Sequence, residues 1–149
     1  MKKVIKKILV IILFVFLVIQ FFQPALNTDD GRVYTTDFTH TYKMPAEIST
    51  MLKASCYDCH SNNTNYVWYD YVQPGRWLVE KHIRQAKNEL NFNEWGNYSA
   101  RKQERLLHSM AEQVETGQMP LRSYTLLHKN AVLSKDQIEV LTKWLKEQP

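Results

Sequence analysis

The stretch Ser55-Cys56-Tyr57-Asp58-Cys59-His60 contains both cysteines of this 149-residue chain. Two residues separate the cysteines, and a histidine directly follows the second one. This order is the pattern for covalent haem attachment, in which each thiol forms a thioether bond with one vinyl group. The adjacent histidine then lies under the porphyrin ring, where imidazole is a common axial ligand of iron. The stretch therefore predicts one covalent haem c attached through Cys56 and Cys59, with His60 as the proximal ligand.

Three other uses of the cysteine pair stay open at the level of sequence. A structural zinc site needs four ligands, usually in two closely spaced pairs. The other histidines are too far apart in sequence to form a second pair; they are His40, His82, His108 and His128. A redox Cys-x-x-Cys normally lies in a βαβ context, for which the chain shows no pattern. A plain disulfide between Cys56 and Cys59 is the third alternative.

The formal net charge of +4 comes from the N-terminus of the chain. Four lysines lie among the first seven residues, whereas the other 15 Lys and Arg are matched by 15 Asp and Glu. A basic surface for nucleic acid is therefore not indicated, and no nucleic-acid partner is expected. The basic cluster is instead typical of a targeting segment.

An apolar run of twelve residues, Ile8–Ile19, follows the lysines. A spanning helix needs about 20 residues, and snorkelling lysines can extend a shorter one. The residues after the run lack the small-residue pattern of a cleavage site. We therefore predict an N-terminal transmembrane anchor over residues 1–23, with a cleaved signal helix or a buried core helix as alternatives. The lysines orient the N-terminus toward the cytoplasm, so we expect a single-pass protein of the cytoplasmic membrane with its haem domain on the periplasmic side.

The remaining residues predict a linker over 24–43 and one haem-binding domain over 44–149. The domain is predicted to be mostly α: a small cytochrome c-like helical fold around the haem. Helix starts are indicated by Pro45, by Ser99 as an N-cap and by the capping box of Ser134 with Gln137. Gly117 suits the end of the helix that Ser99 begins.

A further helix is predicted where apolar residues recur every four positions after Pro74 and Gly75. The stripe consists of Leu78, His82, Ala86 and Leu90. His82 on this stripe is interpreted as a core histidine rather than an iron ligand. The aromatic segment 66–71 is interpreted as a loop at the haem edge, with a short strand or ordinary core packing as alternatives.

The segment Gly117-Gln118-Met119-Pro120 places a methionine in a loop between a glycine and a proline. Such a loop can hold a thioether sulfur against the second face of a haem. A loop methionine can also simply fill a gap in packing, and His128 is a rival for the second axial position. The residues alone do not decide whether Met119 or His128 is the second axial ligand, or whether Met119 only fills a gap in packing.

The chain resembles small bacterial haem-binding domains with a single Cys-x-x-Cys-His motif, which are usually membrane-anchored or secreted. The resemblance covers residues from about 40 to the C-terminus and rests on the haem motif and several weaker stretches. These are Ser61-Asn62, Trp68-Tyr69, Leu90-Asn91-Phe92, Glu94-Trp95, Gly117-Gln118-Met119-Pro120, Ser123-Tyr124 and Leu126-Leu127-His128. The resemblance implies haem binding and favours Met119 as the sixth ligand of the iron, but it names no substrate or partner.

The expected function is one-electron transfer between redox partner proteins at the outer face of the membrane, and not catalysis by an enzyme. Three alternatives stay open. A haem with an open distal side would suit a gas sensor or a peroxidase-type module. A neutral haem domain would also suit an assembly subunit of a larger respiratory complex. Without haem, the cysteine pair would be a redox or structural disulfide.

Overall fold

The computed structural model describes all 149 residues as a helical chain without β-strands. This confirms the prediction of a mostly α domain. Short 3₁₀ turns lie at Trp68–Tyr71, Phe92–Asn97 and Lys129–Ala131. The α-helices are α1 (Lys2–Ile19), α2 (Phe38–Thr41), α3 (Ala46–Ser55), α4 (Tyr57–His60), α5 (Gly75–Glu89), α6 (Ala100–Glu115), α7 (Arg122–Thr125) and α8 (Lys135–Lys146).

The predicted transmembrane anchor is wrong, because no helix combines the length and apolar character needed to cross a membrane. Helix α1 has 18 residues, and four of them are lysines. Its apolar run, Ile8–Ile19, is about 18 Å long at the rise of an α-helix, whereas the hydrocarbon core of a bilayer is about 30 Å thick. The single-pass localisation in the cytoplasmic membrane, with the haem domain on the periplasmic side, is wrong for the same reason.

The core of the domain is built around the ring of Phe38, which is fully buried. Trp95 meets it edge-on at a centroid distance of 4.6 Å, and Phe92 lies at 5.3 Å. Tyr42 and Trp144 pack on the same ring at 5.1 Å and 6.0 Å. Tilted and edge-on pairs of this kind add to the stabilisation from burial alone. The aromatic cluster thus joins α2, the 3₁₀ turn Phe92–Asn97 and α8.

The stretch 24–43, predicted to be a linker, supplies the centre of this core. Asp37 and Phe38 are both buried, and Asp37 caps α2 by accepting a hydrogen bond from the Thr39 backbone N–H at 2.8 Å. The backbone of Thr36 also accepts a hydrogen bond from Gly96 N at 2.8 Å. Residues 36–38 are therefore packed and hydrogen-bonded within the core, and the division of the chain into linker and domain stays a prediction.

The predicted ends of α6 and α8 agree with the structure. Ser99 accepts a hydrogen bond from Lys102 N at the start of α6, and Gly117 after α6 has the positive φ of 67° that glycine adopts readily. Ser134 and Gln137 exchange side-chain hydrogen bonds with each other's backbone, which completes the capping box of α8.

The predicted apolar stripe of α5 is buried only toward its C-terminal end, where Leu90 is buried and Ala86 is half-buried. Leu78 is 59% exposed and His82 is exposed, so His82 is not a core histidine. The helix instead buries Arg76, Glu80 and Ile83. Polar residues can occupy this face because their charged groups are paired within the protein. Arg76 donates to the Pro24 carbonyl at 2.6 Å, and Glu80 accepts from the Tyr66 hydroxyl at 2.6 Å.

We predict that Phe38→Ala lowers the free energy of unfolding by about 3–5 kcal/mol, because it leaves a cavity at the centre of the aromatic cluster. Chemical denaturation followed by far-UV circular dichroism measures this change. Val33→Ala is the matched control, since Val33 is 79% exposed and its truncation is expected to change stability by no more than about 0.5 kcal/mol. Equal effects of the two substitutions would contradict the central position of Phe38.

Candidate functional site

The Cys-x-x-Cys-His motif occupies one helical turn directly after α3. Helix α3 ends at Ser55, and the Cys56 carbonyl accepts hydrogen bonds from Cys59 N at 3.2 Å and His60 N at 3.0 Å. The Ser55 hydroxyl donates to the Ala131 carbonyl at 3.0 Å, which ties the motif to the 3₁₀ turn near the C-terminal helix. The turn places both sulfurs and the imidazole in one short segment, as covalent haem attachment requires.

The imidazole of His60 has a fixed orientation. Its Nδ1 lies 3.1 Å from the Leu90 carbonyl oxygen, and a carbonyl can only accept, so Nδ1 carries the proton. The lone pair of Nε2 is then available for a metal ion. Burial lowers the pKa of His60, although the carbonyl contact acts in the opposite direction. A neutral imidazole anchored through its second nitrogen is the form in which histidine binds metals.

The residues after Leu90 hold the motif through further contacts. Asn91 Nδ2 donates to Asn62 Oδ1 at 2.8 Å, and the Asn62 backbone N–H donates to Asn93 Oδ1 at 2.7 Å. Phe92 stacks on Tyr57 at 4.7 Å with nearly parallel rings, and its ring is 6.2 Å from that of His60. We call residues 90–93 the bracket, because each of them contacts the motif or Asn62, two positions after it.

A buried carboxylate, that of Asp37, connects the bracket with the motif. Its Oδ2 accepts from Asn93 Nδ2 at 2.8 Å, and its Oδ1 accepts from the Tyr57 hydroxyl at 3.0 Å. Burial raises the pKa of Tyr57, and the negative charge of Asp37 raises it further. Tyr57 therefore stays protonated and keeps donating to Asp37 over the physiological range of pH.

The two cysteines are free thiols in the structure, and both are partly exposed. Burial of the sulfur atoms raises the pKa of Cys56 to about 12 and that of Cys59 to about 11. The neighbouring thiol adds to the shift at Cys56, and Asp58 adds to it at Cys59. Redox-active Cys-x-x-Cys pairs have a lowered thiol pKa, whereas burial shifts the pKa of both thiols here in the opposite direction.

Asp58, the second of the two residues between the cysteines, bonds the motif to the loop that follows it and to the distant helix α7. Its carboxylate accepts from the Tyr124 hydroxyl at 2.6 Å and from Asn65 Nδ2 at 2.9 Å, and its backbone carbonyl accepts from the Thr64 hydroxyl at 2.5 Å. Burial and the contact with Asp58 raise the pKa of Tyr124. Helix α7 is thus held next to the cysteines by an aspartate whose role the motif alone did not predict.

His128, the rival distal ligand, lies in this same region. Its ring stacks on Tyr124 at 4.0 Å, and its Nδ1 lies 3.1 Å from the Tyr124 carbonyl oxygen. Its Nε2 is 3.3 Å from the Tyr69 hydroxyl. The tautomer is therefore the same as that of His60, but the second nitrogen of His128 already has a partner.

Met119, the predicted sixth ligand, is half-buried in the loop after α6. Its backbone N–H donates to the Gln113 carbonyl at 3.0 Å, which fixes the loop against the end of that helix. Ligation by its sulfur stays a prediction. No cluster of three or more His, Cys, Asp or Glu side chains is arranged to hold a metal ion.

Large apolar side chains are exposed after α7 and in the turn Trp68–Tyr71, which contacts His128 through Tyr69. Trp68 is 77% exposed beside Tyr69, and Leu126 and Leu127 are 66% and 63% exposed between Tyr124 and His128. Such side chains suit the edge of a large apolar group. The thiols, the anchored imidazole and this apolar edge together fit a haem. The predicted haem-edge position of segment 66–71 stays a prediction, and the segment forms a 3₁₀ turn rather than a strand.

The fold and the site define a small helical domain with a Cys-x-x-Cys-His haem motif. Residues 14–147 match the family model described as a haem-binding domain. The match spans most of the chain, which therefore belongs to this family and binds haem. No curated protein and no solved structure matches the chain.

Several residues that shape the site were not predicted from the sequence. The sequence indicates Leu90-Asn91-Phe92 only through the family resemblance, and it places Asn27 in the predicted linker. The acceptor for His60 is a backbone carbonyl, and the type of side chain at that position does not reveal such an acceptor. The cluster of asparagines at 62, 91 and 93 was the only available signal, because buried amides need hydrogen-bonding partners.

We predict that, in the chain produced without haem attachment, alkylation of the two thiols rises with pH around 11 to 12. A raised pKa means that the reactive thiolate forms only at higher pH, so alkylation at neutral pH is slow. Deprotonation also favours the unfolded chain, and stability falls as the pH rises toward these values. Rates of iodoacetamide labelling read by mass spectrometry measure the midpoint.

The same chain in denaturant is the control, because exposed thiols there recover the ordinary pKa of about 8.5. A native midpoint at or below the denatured one would contradict the burial of the sulfurs and favour a redox-active pair.

Proposed function

We propose that the chain carries one covalently attached haem c and transfers single electrons between redox partner proteins. The observation that carries this proposal is the hydrogen bond from His60 Nδ1 to the Leu90 carbonyl. It places the proton on Nδ1 and leaves Nε2 with a lone pair that can bind iron, next to two free thiols in the same turn.

Each residue of the site has a separate part in this function. Cys56 and Cys59 would hold the haem through thioether bonds, and His60 and Met119 would bind its iron. A bound haem supplies an iron that changes between two oxidation states by one electron. The protein holds the imidazole in one tautomer and one orientation, which limits the rearrangement that accompanies each electron transfer.

The neutral surface and the exposed apolar edge support a carrier more than an enzyme. Without the N-terminal lysines, the positive and negative charges balance, so strong steering toward a highly charged partner is not expected. Trp68, Leu126 and Leu127 expose apolar surface on the two segments that the Tyr69–His128 contact joins. A redox partner with a similar weakly charged, apolar contact surface would approach the haem here.

A second candidate function is a module that binds a small ligand at an open distal side. The observation in its favour is the pairing of His128 Nε2 with the Tyr69 hydroxyl near the motif. In this pair the Tyr69 hydroxyl can donate a hydrogen bond to a ligand on iron, and the unprotonated Nε2 of His128 can accept a proton. Gas sensing and peroxidase-type chemistry both use such groups.

We predict that the protein, expressed with a cytochrome c maturation system, keeps its haem after acid–acetone extraction. A thioether bond survives this treatment, whereas a haem held only by its axial ligands is extracted. Intact mass spectrometry checks that one haem is added per chain. Cys56→Ala and Cys59→Ala each remove one thioether bond and should lower the haem content, with Ser109→Ala as a control outside the motif. Complete extraction from the wild type would overturn the proposal.

We predict that the ferric protein is low-spin and six-coordinate, and that Met119→Ala opens the distal position. The variant should bind carbon monoxide in the ferrous form and have a lower reduction potential, because a thioether ligand raises the potential. His128→Ala is the matched control and should leave both properties unchanged. If only His128→Ala changes them, His128 is the distal ligand. If the wild type itself binds carbon monoxide, the second candidate function is favoured instead.

A further inference from the structure

Asn27 lies in the strap, which we define as residues 20–27, the segment that follows α1. Every polar group of Asn27 has a partner inside the protein. Its backbone N–H donates to the Tyr66 hydroxyl oxygen at 2.7 Å, and its backbone carbonyl accepts from Thr64 N at 2.9 Å. These two bonds attach the strap to the loop that follows the haem motif.

The side chain of Asn27 makes three more hydrogen bonds. Nδ2 donates to the Ser61 carbonyl at 2.8 Å and to the Thr64 hydroxyl at 2.9 Å. Oδ1 accepts from Lys87 Nζ at 2.5 Å. Only an amide supplies two donors and an acceptor in this arrangement, so no other side chain of the same size satisfies all three partners.

Two of these partners connect Asn27 directly with the haem motif. Ser61 is the residue after His60, and it is only 2% exposed. The Thr64 hydroxyl, which accepts from Asn27, itself donates to the Asp58 carbonyl between the two cysteines at 2.5 Å. Asn27 therefore holds the backbone on both sides of Cys59 and His60.

The rest of the strap is fastened to α5 and the turn before it. Gln20 Oε1 accepts from Gln73 N at 3.0 Å, and Gln73 Nε2 donates to the Phe22 carbonyl at 2.7 Å. The buried guanidinium of Arg76 donates to the Pro24 carbonyl at 2.6 Å. The match to the haem-binding family also includes the strap, because it begins at residue 14.

We propose that Asn27 is a positioning residue of the haem site, which fixes the backbone around His60 from a segment far away in sequence. This inference rests on the proposed function, in which His60 binds iron. The imidazole is held at Nδ1 by Leu90, and Asn27 holds the backbone from which the ring projects. Without both constraints, the imidazole would sample several orientations under the haem.

Asn27→Asp tests the proposal with little change in size. The carboxylate keeps the acceptor for Lys87 but replaces the two donors, so an oxygen faces the Ser61 carbonyl. We expect the iron to be bound less tightly by His60, as is typical when a residue supporting a metal ligand is lost, and the haem content per chain to fall where this makes covalent attachment less complete. In the molecules that retain haem, we expect a broader low-spin electron paramagnetic resonance signal and a shifted reduction potential.

Three further variants separate positioning from general stability. Thr64→Val removes the hydroxyl that links Asn27 to the Asp58 carbonyl, without changing the shape of the side chain. It should reproduce the broadened signal even if the Asn27→Asp protein does not accumulate. Lys87→Met removes the one side-chain partner of Asn27 that lies outside the loop after the haem motif. This variant should lower the midpoint of thermal unfolding without altering the electron paramagnetic resonance signal. Asn97→Ala replaces an exposed asparagine and should change neither property.

The wild type is measured first, so that failure of the proposed function can be distinguished from failure of the positioning role of Asn27. Absence of covalent haem from the wild type would overturn the proposed function. If the wild type holds haem but Asn27→Asp and Thr64→Val show the wild-type signal and potential, the positioning role is overturned. The positioning role is also overturned if Lys87→Met broadens the signal as much as Asn27→Asp, because the effect would then reflect stability alone.

Discussion

The hydrogen bond between His60 Nδ1 and the Leu90 carbonyl is the constraint on which the site depends. A carbonyl inside a helix is normally occupied by the N–H four residues later. Leu90 lies directly after the last residue of α5, with extended backbone angles of −144° and 122°, so its carbonyl can point at the imidazole. The end of α5 is thus a functional feature, because it supplies the acceptor that decides which nitrogen of His60 remains free.

The buried polar contacts around this bond favour one arrangement of the side chains in the interior of this small domain, in addition to making the interior compact. Asp37, Asn91 and Asn93 are all buried, and each of them is hydrogen-bonded to the motif, to the bracket or to Asn62. Such a network stabilises one arrangement only when every member is satisfied, since an unpaired buried polar group costs about 1–3 kcal/mol. The aromatic core around Phe38 and the polar network share the bracket, so packing of the core and orientation of the ligand are coupled through Phe92.

The departures from the sequence-based expectations have two physical causes. Helix α1 is apolar over too few residues to span a bilayer, and its lysines occupy the positions that would complete the length. The first half of the predicted stripe of α5 is exposed, because there the helix packs through Arg76 on the Pro24 carbonyl and through Glu80 on the Tyr66 hydroxyl. A periodic pattern records the residue types on a helix face, but it does not record which segment will cover that face.

The sequence by itself determined the helical class, the helix caps at Ser99 and Ser134, and the haem motif, because each of these depends on residues within a few positions of one another. Only the tertiary structure decided how His60 is oriented and which segments surround the cysteines. The partners involved, Leu90, Tyr124 and Asn27, lie between 30 and 66 residues from the positions in and beside the motif that they bond. Two of these three bonds have a backbone carbonyl as the acceptor. Backbone carbonyls are the same in every residue, so their role appears only when the fold brings them to a side chain.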